Sequence, residues 1–203
     1  MKVLIGTPIH IYKDYCMESW IQNVSKLEYP ADLLLVDNSP TPDYIEKVKG
    51  YCTKYGIKNY KIKYLNLPDD QETHERVARS EEVIRQEILA KDYDAWFCWE
   101  CDQLIPNDGL GKLVKIMESG NFMMVVHNGW SKETPGEADF GLAVALLKRS
   151  VLEKYSFILE FGTDPDMPNS WISAGAPWIE KQIIRDGGNF VHVDGVIRPI
   201  YHL

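Results

Sequence analysis

Short apolar runs that stop abruptly at polar residues, each followed by a stretch of helical spacing, recur along this chain of 203 residues. Residues 2–6, 32–36 and 95–99 are the strongest of these runs, and residues 61–65 alternate in the manner of a strand. Between them, residues 12–26 place Tyr15, Trp20 and Val24 on one helical stripe. Residues 44–55 form a second helical stretch, with Asp43 in a position to cap it. Residues 72–90 are rich in good helix formers and carry Val77, Val83, Ile84 and Ile88 on one face. Strand alternating with helix predicts an α/β fold around a largely parallel sheet, with right-handed crossovers.

The second half continues the pattern less regularly. Residues 109–119 read as a helix and residues 122–126 as a strand. Residues 141–147 read as a strand or as a strand entering a helix, and residues 162–175 as a loop. Residues 178–185 read as a short helix closed by Gly187-Gly188, with final strands at 190–193 and 196–202. There is no repeat, linker or low-complexity segment, so the expectation is one domain over residues 1–203. The chain stops just after a strand, at Tyr201-His202-Leu203, which suits a natural end and a piece of a larger protein equally.

Composition narrows the class. Hydrophobic residues make up 45% and charged residues 26%, which is ordinary for a globular chain and excludes disorder. A net charge of −8 argues against nucleic acid as a partner, because phosphate binding needs a basic face. The lysines from Lys47 to Lys63 read as a solvated surface. No apolar stretch reaches the roughly 18 residues a transmembrane helix needs, and the start at Met1 lacks the pattern of a signal peptide. The cytoplasm is the expected compartment, and Cys16, Cys52, Cys98 and Cys101 are expected to be free thiols. Cys98-Trp99-Glu100-Cys101 has redox or zinc spacing. It lacks a second ligand pair and lies in a strand-like run, which argues against both uses.

In open α/β sheets, ligands bind beyond the carboxyl ends of the strands. The apolar runs here deliver Thr7, Pro8 and His10, then Asp37, Asn38 and Ser39, then Glu100 and Asp102. Two carboxylates two residues apart at a strand end can converge on one hard cation, Mg²⁺ or Mn²⁺, which in turn grips phosphate oxygens. A polar loop after a buried strand is the plainer account of the same residues. The chain has neither a Gly-x-x-x-x-Gly-Lys-Ser/Thr loop nor a Gly-x-Gly-x-x-Gly turn, so phosphate binding would fall to such a metal.

These segments together resemble the GT-A fold glycosyltransferases, in particular the family-2-like branch, over nearly the whole chain. Val3-Leu4-Ile5-Gly6-Thr7-Pro8 is similar to the opening strand of that family. Leu34-Leu35-Val36-Asp37-Asn38-Ser39 is similar to its second strand, Ala78-Arg79-Ser80 to its Ala-Arg-Asn, and Glu100-Cys101-Asp102 to its Asp-x-Asp motif. Ile184-Arg185-Asp186-Gly187 and Phe190-Val191-His192-Val193 resemble its late helix, glycine turn and closing strand.

The resemblance implies a mixed, mostly parallel sheet flanked by helices. It implies a nucleotide-binding half over about residues 1–102 and an acceptor-binding half over about residues 103–203. It implies a metal-dependent hexosyltransferase that moves a sugar from a nucleotide diphosphate sugar, UDP-sugar foremost, to a glycan or glycoconjugate hydroxyl. Thr7 and Asp37 would hold the base and Arg79 would lie near the nucleotide, with Pro8, His10, Asn38 and Cys101 lining the same site. Asp102 would ligate Mn²⁺ or Mg²⁺, Glu100 would hold metal or ribose, and His202 would be the third metal ligand, with His192 in reserve.

One departure stands out. The family's Glu-Asp pair, whose Asp is the catalytic base, aligns with Gly175-Ala176. Glu180, Asp164, Asp166 and Asp139 are the substitutes, each also readable as a surface carboxylate. Trp130, Trp171 and Trp178 flank the acceptor side, with Trp171 the preferred stacking platform, and Arg198 is a candidate for neutralising diphosphate. A sugar-1-phosphate nucleotidyltransferase and a non-catalytic nucleotide- or glycan-binding domain are the alternative readings.

Overall fold

A computed structural model describes residues 1–68, 70–130, 138–139, 142–159, 176–198 and 201–203. The elements in chain order are β1 (Val3–Ile9), α1 (Asp14–Val24), β2 (Ala31–Asp37), α2 (Tyr44–Lys54), β3 (Tyr60–Tyr64) and α3 (Thr73–Ala90). There follow β4 (Ala95–Trp99), β5 (Gln103–Leu104), α4 (Gly109–Gly120), β6 (Met124–His127), β7 (Gly129–Trp130), β8 (Ala138–Asp139) and β9 (Val144–Lys148). The last are α5 (Arg149–Lys154), α6 (Ala176–Arg185), β10 (Phe190–Val193) and β11 (Tyr201–His202).

Seven strands form one sheet in the order β10-β6-β9-β4-β1-β2-β3. All run parallel except β9, which pairs antiparallel with both β4 and β6. Every parallel strand therefore ends at the same edge of the sheet. The chain order reverses between β1 and β4, which makes that edge a topological switch point.

Both faces are covered, so the strands are almost continuously apolar, and neighbouring residues divide between two cores. Val3, Ile5, Leu33, Leu35, Phe97 and Leu146 meet Met17, Trp20, Val48, Leu113 and Met117 of α1, α2 and α4. Leu4, Leu34, Val36, Trp96, Cys98 and Leu147 meet Ile84, Ile88, Val151, Ile179 and Ile183 of α3, α5 and α6. Gly6 lets α3 come close. A Cβ there would collide with Ile84 and lie 2.7 Å from Nε1 of Trp96, which instead donates to the Gly6 carbonyl at 2.9 Å.

Several sequence expectations change. Thr7-Pro8 does not end β1; pairing with β2 runs on to Ile9, whereas pairing with β4 stops at Gly6. Pro8 thus sits where the strand has a partner on one side only, a position that tolerates a missing N–H. Asp43 lies at the start of α2 without a side-chain capping bond and instead accepts from the Thr41 hydroxyl at 3.0 Å. Residues 194–198 are not strand, and only Tyr201–His202 pairs, with β5. Of the two readings of the segment at 141–147, the strand that enters a helix is the one observed: β9 (Val144–Lys148) runs directly into α5 (Arg149–Lys154).

Arg149 explains α5's position. Its guanidinium donates to the carbonyls of Ile88, Leu89 and Lys91 at 2.8, 2.9 and 2.5 Å, so it caps the end of α3, where the Ile88 carbonyl also accepts the Lys91 N–H at 3.2 Å.

Candidate functional site

The end of β4 organises the site. The Gln103 N–H donates to the Glu100 carbonyl at 3.2 Å, so residues 100–103 turn back on themselves, and the Trp99 indole donates to the Gln103 carbonyl at 2.9 Å. A turn of this kind brings residues two apart to the same side. β11 then lies antiparallel to β5, opposing His202 to Gln103, and the Leu203 N–H donates to the Asp102 carbonyl at 2.8 Å. One ligand atom each from Glu100, Asp102 and His202 consequently falls within 4.8 Å of the other two. Asp102 is buried, and its Oδ1 lies 3.7 Å from Nε2 of His202. Two carboxylates and an imidazole make a donor set that fits Mn²⁺, and Mg²⁺ less well because of the nitrogen ligand.

The other oxygen of Asp102 faces Lys13. Nζ of Lys13 lies 2.5 Å from Oδ2. Burial works against the ammonium, but the bond and field of Asp102 outweigh it and raise the lysine's pKa. Lys13 ends a single 3-10 turn, Ile11–Lys13, whose start is capped by His10: Nδ1 accepts from the Tyr12 N–H. The Cys16 thiol donates to the Lys13 carbonyl at 2.9 Å, and a hydrogen bond with the Cys101 thiol pulls the Cys16 pKa down. Cys98 and Cys101 are buried free thiols whose pKa values stand well above normal, so neither is a ready nucleophile or metal ligand.

A second group forms where β1 and β2 end. Asp37 is fully buried. Its Oδ1 accepts from the Ser39 N–H at 3.0 Å and the Ser39 hydroxyl at 2.5 Å. Its Oδ2 has no hydrogen-bond partner among the described residues. Burial raises the carboxyl's pKa, and the two Ser39 bonds offset part of that shift.

Thr7, Asn38 and Arg79 have other engagements. The Thr7 hydroxyl donates to the Trp99 carbonyl at 2.8 Å, tying β1 to β4. The Asn38 amide donates to the Ser80 hydroxyl at 2.9 Å, tying β2 to α3. Arg79 is paired with Glu75 one turn back, at 2.7 Å. Arg76 reaches the Asn38 carbonyl instead, at 3.2 Å. It also lies near His10, where burial first and the Arg76 charge second lower the imidazole's pKa, against the pull of Asp37. Beneath the β4 turn, Glu81 of α3 is buried, and desolvation with the Glu100 charge pushes its pKa up to about 8.

The third group belongs to β6, β10 and α6. His192 does not join the candidate ligand group of Glu100, Asp102 and His202. Its Nδ1 lies 2.7 Å from Oδ1 of Asn128 and its Nε2 lies 2.7 Å from Oε1 of Glu180. His127, at the end of β6, is buried, and its Nε2 accepts from the Ile197 N–H at 3.3 Å. Desolvation lowers its pKa. Arg198 is exposed and folds back over Gly195. Trp178 is half-buried and packs edge-on against Tyr155. Asp164, Asp166, Trp171 and Gly175, and the side chains of Trp130, Asp139 and Ala176, lie outside the described residues.

No family model matches the chain, and no curated protein does. Solved structures do match. PcManGT, a mannosyltransferase from Pyrobaculum calidifontis in complex with GDP-Man and Mn²⁺, aligns with a TM-score of 0.70. The alignment covers 96% of this chain and 55% of that one, at 15% identity. S. aureus TarS 1-349 in complex with UDP-GlcNAc aligns with a TM-score of 0.58 over 76% of this chain and 47% of its own, at 9% identity. The same protein with UDP gives 0.58 over 76% and 48%, also at 9%. The chain thus spans about half the length of these structures.

The chain has the GT-A fold. At these identities the likeness concerns the fold alone.

Sequence reading missed Lys13, Arg76, Glu81 and His127. Arg76 and Ser80 both meet Asn38, so the face of α3 turned toward β2 carries them one turn apart. That spacing was the available signal. Lys13 offered none, since its partner is 89 positions away.

Proposed function

We propose that this protein is a divalent-metal-dependent glycosyltransferase using a nucleotide diphosphate sugar. The observation that carries the reading is the pairing of two features on one sheet edge: the Glu100, Asp102 and His202 ligand trio and the buried, half-satisfied carboxylate of Asp37. Only β1 separates the strands that deliver them, which sets them about 10 Å apart along the edge. A nucleoside diphosphate laid along that edge has its base at Asp37 and its phosphates at Asp102.

Asp37 favours a base with a ring N–H, because its open oxygen is an acceptor. Uracil and guanine offer one and cytosine does not, so UDP- or GDP-sugars are the donors of choice. The similar structures hold UDP-GlcNAc in one case and GDP-Man with Mn²⁺ in another, which supports this donor class. In this reading Asp102 and His202 hold the ion with Glu100. Arg76, His10, Pro8, Thr7, Asn38 and Cys101 shape the nucleotide wall, and Arg79, paired with Glu75, is the more distant candidate. A bound Mn²⁺ or Mg²⁺ would offset diphosphate charge and stabilise the departing nucleoside diphosphate.

The acceptor, a glycan or glycoconjugate hydroxyl, approaches from the β6 and β10 side. Glu180, held by His192, is the described base candidate there, and Asp164 and Asp166 remain candidates beside it.

Calorimetric titration of UDP, GDP and CMP, with and without Mn²⁺, tests the proposal. Metal-dependent binding of UDP or GDP, with weaker CMP binding, is expected. Metal-independent weak binding of all three would sink it. Release of UDP or GDP from the matching sugar nucleotide, lost in D102N, would establish the transfer chemistry.

A further inference from the structure

The ammonium of Lys13 lies 2.5 Å from an oxygen of Asp102, where a cation is required whether or not a metal has arrived. Asp102 is only 4% exposed at its side chain, while Lys13 is 43% exposed. A buried carboxylate without a counter-charge is strongly disfavoured, so the lysine stabilises the metal-free site. It can also leave: its exposed stem swings into solvent without opening a cavity in the core.

The arrangement is anchored at its backbone end. The His10 ring caps the turn that ends at Lys13, and the Cys16 thiol, itself hydrogen-bonded with the Cys101 thiol, holds the Lys13 carbonyl. The lysine root is therefore fixed beside the residue that separates Glu100 from Asp102, and only the side chain has freedom.

The geometry points to Lys13 as a resident cation that a divalent ion must displace from Asp102, and whose released ammonium then binds the diphosphate of the nucleotide. This rests on the assignment of Glu100, Asp102 and His202 as the metal ligands. A divalent ion on Asp102 draws on the same carboxylate charge that holds the ammonium at Oδ2 and repels that ammonium, so the Lys13 bond weakens as the ion binds. One ammonium offsets one of the two carboxylates, whereas a divalent ion offsets both, so exchange is favourable. The freed charge is then at the mouth of the same edge, where phosphate oxygens need it.

Two consequences follow for the full chain. Without nucleotide, K13M should bind Mn²⁺ about tenfold more tightly than the wild type, since a charge-assisted bond no longer has to be broken. K13R should stay close to wild type. The readout is the electron paramagnetic resonance signal of free Mn²⁺ during titration, which needs no catalysis. With saturating Mn²⁺, K13M should bind UDP and GDP about tenfold more weakly, because one ammonium–phosphate contact is missing.

Unchanged Mn²⁺ affinity in K13M, alongside lost binding in D102N, overturns the exchange while leaving the metal site intact. Undiminished Mn²⁺ binding in D102N overturns the metal assignment itself. Unchanged UDP and GDP affinity in K13M removes the phosphate role. A thermal melt guards against misfolding: metal-free K13M should be less stable than wild type, and Mn²⁺ should raise its melting temperature by more. Equal shifts in the two proteins count against the exchange.

Discussion

Nε2 of His202 faces Oδ1 of Asp102 at 3.7 Å because two short strands, β11 and β5, clip the end of the chain onto the turn after β4. That clip is what makes a candidate ligand trio from an otherwise ordinary pair of acids. Partners one shell out from a metal are typically worth about 10- to 100-fold in affinity, and a direct ligand is worth no less. H202A is therefore expected to weaken Mn²⁺ binding by at least about tenfold while leaving the melting temperature of the metal-free chain nearly unchanged. Mn²⁺ titration of the variant measures this; wild-type affinity would remove His202 from the site.

Asp37 supports a prediction of a different kind. Asparagine at this position keeps the oxygen that Ser39 holds and replaces the open one with an amino group. A base N–H would then meet a donor. D37N should lose about ten- to a hundredfold in UDP or GDP affinity, the usual worth of a hydrogen bond to a charged acceptor, with little change in stability. Because burial raises the Asp37 pKa, the wild type should also lose nucleotide affinity as pH falls through that raised value. D37N should show no such loss. Calorimetry across a pH series distinguishes the two, and parallel profiles would refute the base contact.

Most of the fold was legible because its physics is local. Val3, Leu4 and Ile5 are all apolar since both faces of the sheet are covered, and their alternation between two cores follows from strand geometry. The helix positions in α1 to α4 follow from spacing in the same way. Pro8 misled because a proline normally ends a strand, and only the early departure of β4 from β1 makes it acceptable. Asp43 misled because its carboxylate found Thr41 rather than the helix amides. α5 is too short for periodicity to register.

The site was half legible. Glu100, Asp102 and Asp37 follow apolar strands directly, so the edge rule picks them out as candidates. What depends on distant contacts stayed hidden. The resemblance ranked His202 ahead of His192, but the contacts that distinguish them, His192 between Asn128 and Glu180 and His202 beside Asp102, join residues far apart in the chain. Arg79 and Arg76 differ by which face of α3 they occupy, and that is fixed only once α3 packs over Gly6.

Arg149 shows how far a single side chain can hold two elements together. Its guanidinium meets three carbonyls at the end of α3 and a fourth, of Tyr93, at 3.3 Å, while Nε holds Glu153 at 2.8 Å. R149A leaves those carbonyls without their partner, and a lysine cannot fork among them. R149A should cost about 2–4 kcal/mol, with R149K recovering less than half, since each hydrogen bond to a charged group is worth about 1.5–3 kcal/mol and water replaces part of it. Urea unfolding gives the values; a loss below 0.5 kcal/mol, the range of an ordinary surface change, would contradict the capping role.

Glu81 makes the stability of the metal-free chain depend on pH in an unusual direction. Its carboxyl is buried beneath Glu100, and burial with that neighbouring charge carries its pKa up to about 8. The unfolded chain releases the same proton near the ordinary glutamate value of about 4.3. Between those two values the unfolded state holds fewer protons than the folded one, so stability falls as pH rises, and the loss is complete above about 8. Its size is on the order of 5 kcal/mol as an upper bound. E81Q has no proton to lose and should remove that slope, so that it is more stable than wild type at alkaline pH and least different near pH 5. Urea unfolding at several pH values, with a chelator present, measures both curves. A wild-type stability that stays flat or rises from pH 5 to 8, parallel to E81Q, would mean that the Glu81 carboxyl is ionised at no cost in the folded protein.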